Sequence, residues 1–348
     1  MKTTIYRFVY RSSFCAATLL AAFSVAAADE PYRLLKEIPV RDGGAWTAMV
    51  VDEAGQRLYA AHGSRVEVIN LKTEIPAGAI TDTPDVRGFA IAPAFHLGFA
   101  SSGKAQTVNL VDLNTLRTNA KMKTGANPTA VVIEPSKLQL YAFNQGDHSV
   151  TAGEADDGDF LATIDVGGKP VSAVADAVTF ETKNSRVLAS IEDKNEVVAI
   201  DVATHKILSH WPVSPGQSPR GLAYDALNHR LFAACGNRLL IVMDSTDGKV
   251  VTTIPIGEGA GEVAYDSATQ NIFTSSSDGT VTIAHEDAPD KISVVQTLKT
   301  KGGATVLGMD GKSRKIYVGS ADFGTSSGDA APFSNPIAGT LKILVYGK

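Results

Sequence analysis

The chain has almost no cysteine: Cys15 and Cys235 are its only two. Cys15 lies in a leading segment that reads as removable, so one thiol remains and no intramolecular disulfide can form. Stability must then come from burial, and about 320 residues can bury a large core. Long apolar runs are also missing. Phe14 to Phe23 is too short to span a bilayer, and no later run is long enough. Positive charge is not in excess: the formal net charge is −5. That balance argues against non-specific binding to nucleic acid or anionic membranes, although a local basic patch stays open. No segment sustains helical periodicity. No nucleophile elbow is readable: the one Gly-x-Ser-x-Gly match, Gly324-Thr325-Ser326-Ser327-Gly328, is followed by no helical pattern, and there is no phosphate loop and no dinucleotide fingerprint.

The first 28 residues have the parts of a secretory signal peptide. Lys2, Arg7 and Arg11 make a basic start. The apolar run follows, and Ala26-Ala27-Ala28 ends it with small residues before Asp29-Glu30. Cleavage is expected after Ala28. The alternative is a membrane anchor; Ser12-Ser13-Phe14 before Cys15 does not match a lipoprotein box. Loss of the three basic residues takes the charge from −5 to −8. The mature chain, 29–348, is expected to be periplasmic or secreted, monomeric and without a membrane span.

What the chain has in abundance is repetition. A short strand signature recurs at Arg57-Leu58-Tyr59, Leu97-Gly98-Phe99, Leu140-Tyr141, Arg186-Val187-Leu188, Arg230-Leu231-Phe232, Asn271-Ile272-Phe273 and Lys315-Ile316-Tyr317. The steps from Tyr59 to Tyr317 are 40, 42, 47, 44, 41 and 44 residues. Short strands at a period of about 40–45 residues mark propeller blades. Each repeat opens on a Gly/Pro-rich joint, such as Gly125-Ala126-Asn127-Pro128 or Pro215-Gly216-Gln217-Ser218-Pro219. An apolar inner strand comes next, for example Ala130-Val131-Val132-Ile133. A turn leads to the signature strand. A third strand alternates apolar and polar residues, as in Val66-Glu67-Val68-Ile69-Asn70. A hairpin such as Ser245-Thr246-Asp247-Gly248-Lys249 leads to a fourth strand, Val250–Ile254.

The chain ends decide how such a ring would close. The last repeat has three strands, Ala304–Met309, Lys315–Gly319 and Leu341–Tyr346, and lacks a fourth. An orphan strand, Arg33 to Val40, stands near the start of the mature chain. Pairing it onto the last repeat gives an all-β, seven-bladed propeller with four antiparallel strands per blade and no open gap. The last blade carries an irregular insertion, 320–340. Its Gly/Ser-rich run is flexible by composition, and Pro332 and Pro336 are expected to deny it a ladder, which predicts either a disordered loop or a flap over one face.

Leu140-Tyr141-Ala142-Phe143-Asn144-Gln145-Gly146-Asp147-His148-Ser149-Val150 resembles the signature of the YVTN family of β-propeller repeats. Val111-Asp112, Ile200-Asp201 and Ile254-Pro255-Ile256-Gly257 are similar to its downstream pattern. The resemblance covers about residues 31–348 and extends to exported bacterial proteins called YncE-like. It implies the fold and no ligand, because the matching residues are core and turn positions. Tyr141-Ala142-Phe143-Asn144 departs from the Tyr-Val-Thr-Asn form, and the fourth repeat, Lys169–Gly216, lacks the turn signature.

Propeller topology puts the joints and the loops between second and third strands at one end. Aligned repeats place Thr47, Arg87, Thr129, Val171, Arg220, Gly261 and Thr305 at the channel mouth, with Trp46 adjacent. One step past each signature come His62, Ser102, Asn144, Ile191, Cys235, Ser276 and Ser320. His148 and Arg238 lie in the same loops. The candidate ligand-binding residues are therefore Trp46, His62, Arg87, Asn144, His148, Arg220 and Arg238. Arg87 and Arg220 offer planar donor forks to an anion, and Trp46 a flat wall. The plainer alternative pairs each arginine with a carboxylate such as Asp85 or Glu262. No metal or cofactor is expected: the histidines are scattered, with His205 and His210 flanking one hairpin, and the acidic run Glu154–Asp159 fits a hairpin turn better than a calcium loop. No catalytic residue is assigned; Cys235 near Arg238 reads as a small, partly buried residue before it reads as a nucleophile.

A binding module comes first among the functions: an exported platform presenting one loop face to a protein, a glycan or a small anion. An enzyme comes second. Seven-bladed propellers similar to this one include lactone hydrolases, but the mouth series contains no Asp or Glu. Nucleic-acid binding through Arg41, Arg65, Arg87, Arg220 and Arg238 comes third, with a steep salt dependence. Mass spectrometry of the exported protein tests the signal segment: the mature chain is expected to begin at Asp29, and an intact Met1 would contradict cleavage.

Overall fold

A computed structural model of the protein describes residues 30–41, 43–176, 185–324, 333 and 335–348. The expected signal segment 1–28, Asp29, Asp42, residues 177–184, and positions 325–332 and 334 of the insertion lie outside the described residues. The strands form seven four-stranded antiparallel sheets. Six blades run in simple sequence order, from inner to outer strand. The inner strands are Trp46–Asp52, Val86–Ala92, Pro128–Glu134, Pro170–Asp176, Pro219–Asp225, Ala260–Asp266 and Leu307–Asp310. The described residues contain two short 3-10 turns, Pro93–Phe95 and Glu192–Lys194, and no longer helix. No helix among them is long and apolar enough to cross a membrane.

The signature residues form the hydrophobic spine of each blade. Tyr59, Phe99, Tyr141, Leu188, Phe232 and Phe273 are completely buried, and Tyr317 nearly so. They lie on second strands, which have sheet neighbours on both sides and blade neighbours on both faces. That environment takes large apolar side chains at every site, which is why the repeat is visible at these positions. The last repeat departs slightly from expectation. Its inner strand is only Leu307–Asp310, although the Val306 carbonyl just before it still accepts from the Gly319 N–H at 3.0 Å.

The seventh blade is closed from the other end of the chain. Arg33–Pro39 pairs antiparallel with Lys342–Gly347, from Arg33 opposite Gly347 to Pro39 opposite Lys342. The N–H of Val40 donates to the carbonyl of Leu341 at 3.1 Å, which extends the join. Ile38 faces the core, 2% exposed. Gln296 on blade six clamps Tyr32 by both backbone groups, at 2.9 and 2.8 Å. Glu74 on blade one pairs with Lys36 at 3.1 Å and Lys315 at 2.6 Å. Burial would raise the Glu74 pKa, but the two ammonium groups outweigh it and hold the carboxyl below its usual value.

Neighbouring inner strands come very close near the mouth. A Cβ on Gly88 would lie 2.3 Å from the Thr129 carbonyl oxygen, and one on Gly221 would lie 2.3 Å from that of Gly261. Only glycine permits that approach. Hydroxyls stitch the same seams. Ser101 donates to the Thr129 carbonyl at 3.0 Å and Ser275 to the Thr305 carbonyl at 2.6 Å. Thr129 donates to Phe143 in its own blade and sits 3.3 Å from the Pro170 carbonyl in the next.

The join predicts unequal effects along one strand. Ile38→Ala should lower the unfolding free energy by about 2–5 kcal/mol. Leu34→Ala, whose side chain is 47% exposed, should change it by no more than about 0.5 kcal/mol. Urea denaturation measures both; equal small losses would contradict the closure.

Candidate functional site

Two cavities open around the axis at the end bearing the joints. The channel cavity, about 310 Å³, is lined by inner-strand residues of blades one to four and by Glu262 of blade six. The mouth cavity, about 890 Å³, lies over blades one, five, six and seven. They share no lining residue.

The candidate residues divide among several places. Trp46 and Arg220 line the mouth cavity, and Arg87 lines the channel cavity. His62 and Asn144 share that end of the blades but are fully buried, so they offer no surface to a ligand. The His62 ring lies under Trp46 at 5.1 Å, with Glu67 close by. Asn144 donates to Ser149 at 3.0 Å and Thr151 at 2.9 Å, tying the second strand to the third. Position one past the signature is thus a core position. The end of a second strand is covered by the joint that folds over it. His148 and Arg238 sit in left-handed turns that line neither cavity.

Every mouth arginine has a carboxylate partner. Arg87 meets Asp85 at 3.1 Å, and Arg220 meets Glu192 of the preceding blade at 2.6 Å. Arg238 pairs with Glu258, and Arg65 with Glu67 at 2.8 Å. The plainer alternative therefore describes these arginines, with Glu192 in the place expected of Glu262. Cys235 is completely buried, and burial pushes its thiol pKa up to about 12, the opposite of an activated nucleophile. His210 lies within an outer strand on Glu196 at 2.9 Å, not beside His205 at the hairpin. The run Glu154–Asp159 is the expected hairpin turn, closed by a 2.9 Å bond from the Glu154 N–H to the Asp159 carbonyl. Among the described residues, no three His, Cys, Asp or Glu side chains gather where they would hold a metal ion.

The described ends of the insertion fold onto the mouth. Phe323 bridges to Pro336, so that proline does join a short ladder. The Phe323 and Phe333 rings meet edge to face at 5.4 Å and, with Gly303, border the mouth cavity. The Trp46 indole N–H donates to the Ser320 carbonyl at 3.0 Å and its ring rests on Gly319. Aromatic surface from both ends of the ring thus meets at the seam. Gln217 and Ser218 of the blade-five joint face it across the cavity.

Glu262 escaped sequence reasoning as a site residue in its own right. It stands one residue past the aligned mouth series. The equivalent positions elsewhere are Ala48, Gly88, Ala130, Ser172, Gly221 and Val306. A ring of small residues broken by one glutamate was a readable signal. Its side chain keeps a little surface, yet it is recessed far enough in the channel that desolvation pushes its pKa up to about 7.

Comparison with known proteins adds the fold. No family model matches the chain, and no curated protein matches it. Among solved structures, the chain is similar to a chain of Kuenenia stuttgartiensis hydrazine synthase, with a TM-score of 0.66 and 13% identity. The match covers 80% of this chain and 94% of that one. At that identity the likeness shows a shared architecture and nothing about chemistry.

The raised Glu262 pKa has a signed consequence. The folded protein keeps a proton that the unfolded chain releases. The Glu262 contribution to stability is therefore fully present below the ordinary carboxylate pKa and is lost as pH rises toward about 7, the folded-state value. Glu262→Gln should remove a slope of up to about 1.4 kcal/mol per pH unit across that window. Denaturant titrations at several pH values measure it; parallel profiles for the two proteins would contradict the desolvated carboxyl.

Proposed function

We propose that the protein is an exported binding module of the YVTN-repeat, YncE-like kind, with its ligand seated in the mouth cavity. Export is supported by the leading segment, and the family by the Tyr141–Val150 signature on the second and third strands of blade three. The ligand is a neutral chain carrying both hydroxyl or amide groups and apolar faces, the chemistry of a glycan segment. One observation carries this choice. The mouth sets Trp46, Phe323 and Phe333 beside Gln217 and Ser218, and its charged lining groups are engaged: Arg220 holds Glu192, Glu258 holds Arg238, and Asp278 accepts from the Glu258 N–H and the Thr280 hydroxyl. Aromatic rings supply flat apolar contact at low entropic cost, and neutral polar groups supply orientation.

The anion and nucleic-acid alternatives need free guanidinium groups, and the pairing of Arg65, Arg87, Arg220 and Arg238 weighs against them. A hydrolase of lactonase type lacks support from the side chains around the axis, where the one carboxylate in the channel stands alone.

Trp46 is a built-in probe, because the only other tryptophan, Trp211, is buried on blade four. Neutral oligosaccharides should change its fluorescence, and Phe333→Ala or Gln217→Ala should weaken their binding about tenfold without changing Tm. A response confined to polyanions, and lost steeply with salt, would overturn the proposal.

A further inference from the structure

Glu262 is the one carboxylate lining the channel cavity. Its backbone is fully engaged: the N–H donates to the Thr305 carbonyl at 3.0 Å and lies 3.1 Å from the Ser275 hydroxyl. Its side chain has no hydrogen bond or ion pair with any other described residue. Buried carboxylates are ordinarily paired, because an isolated charge in a low-dielectric recess is costly. This one is held in place by the ring closure and given nothing to bind.

The charged groups on the surrounding strands do not relieve it. Arg220, on the adjoining inner strand of blade five, turns to Glu192. Arg87, which borders the same cavity from blade two, holds Asp85. Asp225, Asp266 and Asp310 close the far ends of the neighbouring and same inner strands, four residues along from the Glu262 position. Arg230, on the second strand of blade five, is engaged by Asp244 and the Pro289 carbonyl. The second strand of blade six, Asn271–Ser276, has no ionisable residue.

The rest of the cavity wall suits a small organic group. Phe89, Val131 and Val171 supply apolar surface. The hydroxyls of Thr47 and Thr129 already direct their protons at the Ala61 and Phe143 carbonyls, so only acceptor capacity remains on those oxygens. A volume of about 310 Å³ is at the small end for ligand pockets. A divalent metal ion would want several oxygen or nitrogen ligands, and the cavity lining provides one carboxylate. A single negative charge, acceptor oxygens and apolar walls match a primary ammonium group on a short carbon chain.

We propose that the central channel is a binding site for a small organic amine, held as its ammonium ion by Glu262. The pair forms by a charge-assisted hydrogen bond from the ammonium N–H to the carboxylate, with no bond made or broken. Desolvation raises the proton affinity of Glu262, so near pH 7 part of the population is protonated. An ammonium ion displaces that proton, and affinity rises with pH through the same range. This site does not depend on the mouth reading, because the two cavities share no lining residue. Oligosaccharide and amine titrations can therefore fail independently.

Calorimetric titration of the full mature chain with propylamine, with propanol as the uncharged control, tests the site. Propylamine should bind and propanol should not. Binding should weaken by about tenfold or more in Glu262→Gln. In the wild-type protein, it should weaken by a similar factor between about pH 8 and pH 5.5, as the carboxyl takes up its proton. The pH series stands even if the variant fails to fold. Absence of propylamine binding at either pH, equal binding of propanol, undiminished binding in a folded Glu262→Gln, or calcium binding at Glu262 in place of the amine would each overturn the proposal.

Discussion

The ladder between Arg33–Pro39 and Lys342–Gly347 imposes a constraint that every other part of the molecule inherits. Six blades are complete in their own sequence, but the seventh has only three strands from its own repeat. Without the returning strand, Lys342–Gly347 would be an unpaired edge, and blade seven would lack the outer layer that covers it. The join is reinforced on both sides. Gln296 on blade six holds the backbone of Tyr32, and Glu74 on blade one holds Lys36 and Lys315. These two paired strands thus become the strap that fixes the circumference.

A fixed circumference dictates what can stand at the axis. The inner strands converge until glycine is needed at Gly88 and Gly221, and hydroxyls on second strands reach carbonyls of the next blade. Among the channel-lining residues Glu262 is the one carboxylate, on a strand tied to its neighbour by these seams. The unpaired carboxyl is therefore a property of the closed ring, not of one loop.

The fold was legible because its signal lies in buried residues. Tyr59, Phe99 and their equivalents sit on strands enclosed on all sides, and such positions tolerate few alternatives to large apolar groups. Closure was legible too, since one strand was missing at one end and one was spare at the other. The site was less so. Trp46, Arg87 and Arg220 reach the two cavities, as their register implies, but register says nothing of where a long side chain turns. Arg220 turns to Glu192, which lies across a blade boundary in a different repeat. His62 and Asn144 share the right end of the strand yet lie beneath the joint that folds over it. Phe323 and Phe333 reach the mouth through a short ladder that an insertion rich in glycine, serine and proline did not announce. Glu262 was missed for a narrower reason: alignment of one channel position leaves its neighbour unread.

Desolvation of that single carboxyl is where the closed ring and its chemistry meet. Carbon-13 NMR of side-chain-labelled glutamate, assigned through Glu262→Gln, follows its titration directly. A midpoint near 7, well above the surface glutamates, is the predicted result. A midpoint in the ordinary carboxylate range would mean that the group is hydrated or paired, and that the axis of this propeller is not the enclosed, uncompensated site described above.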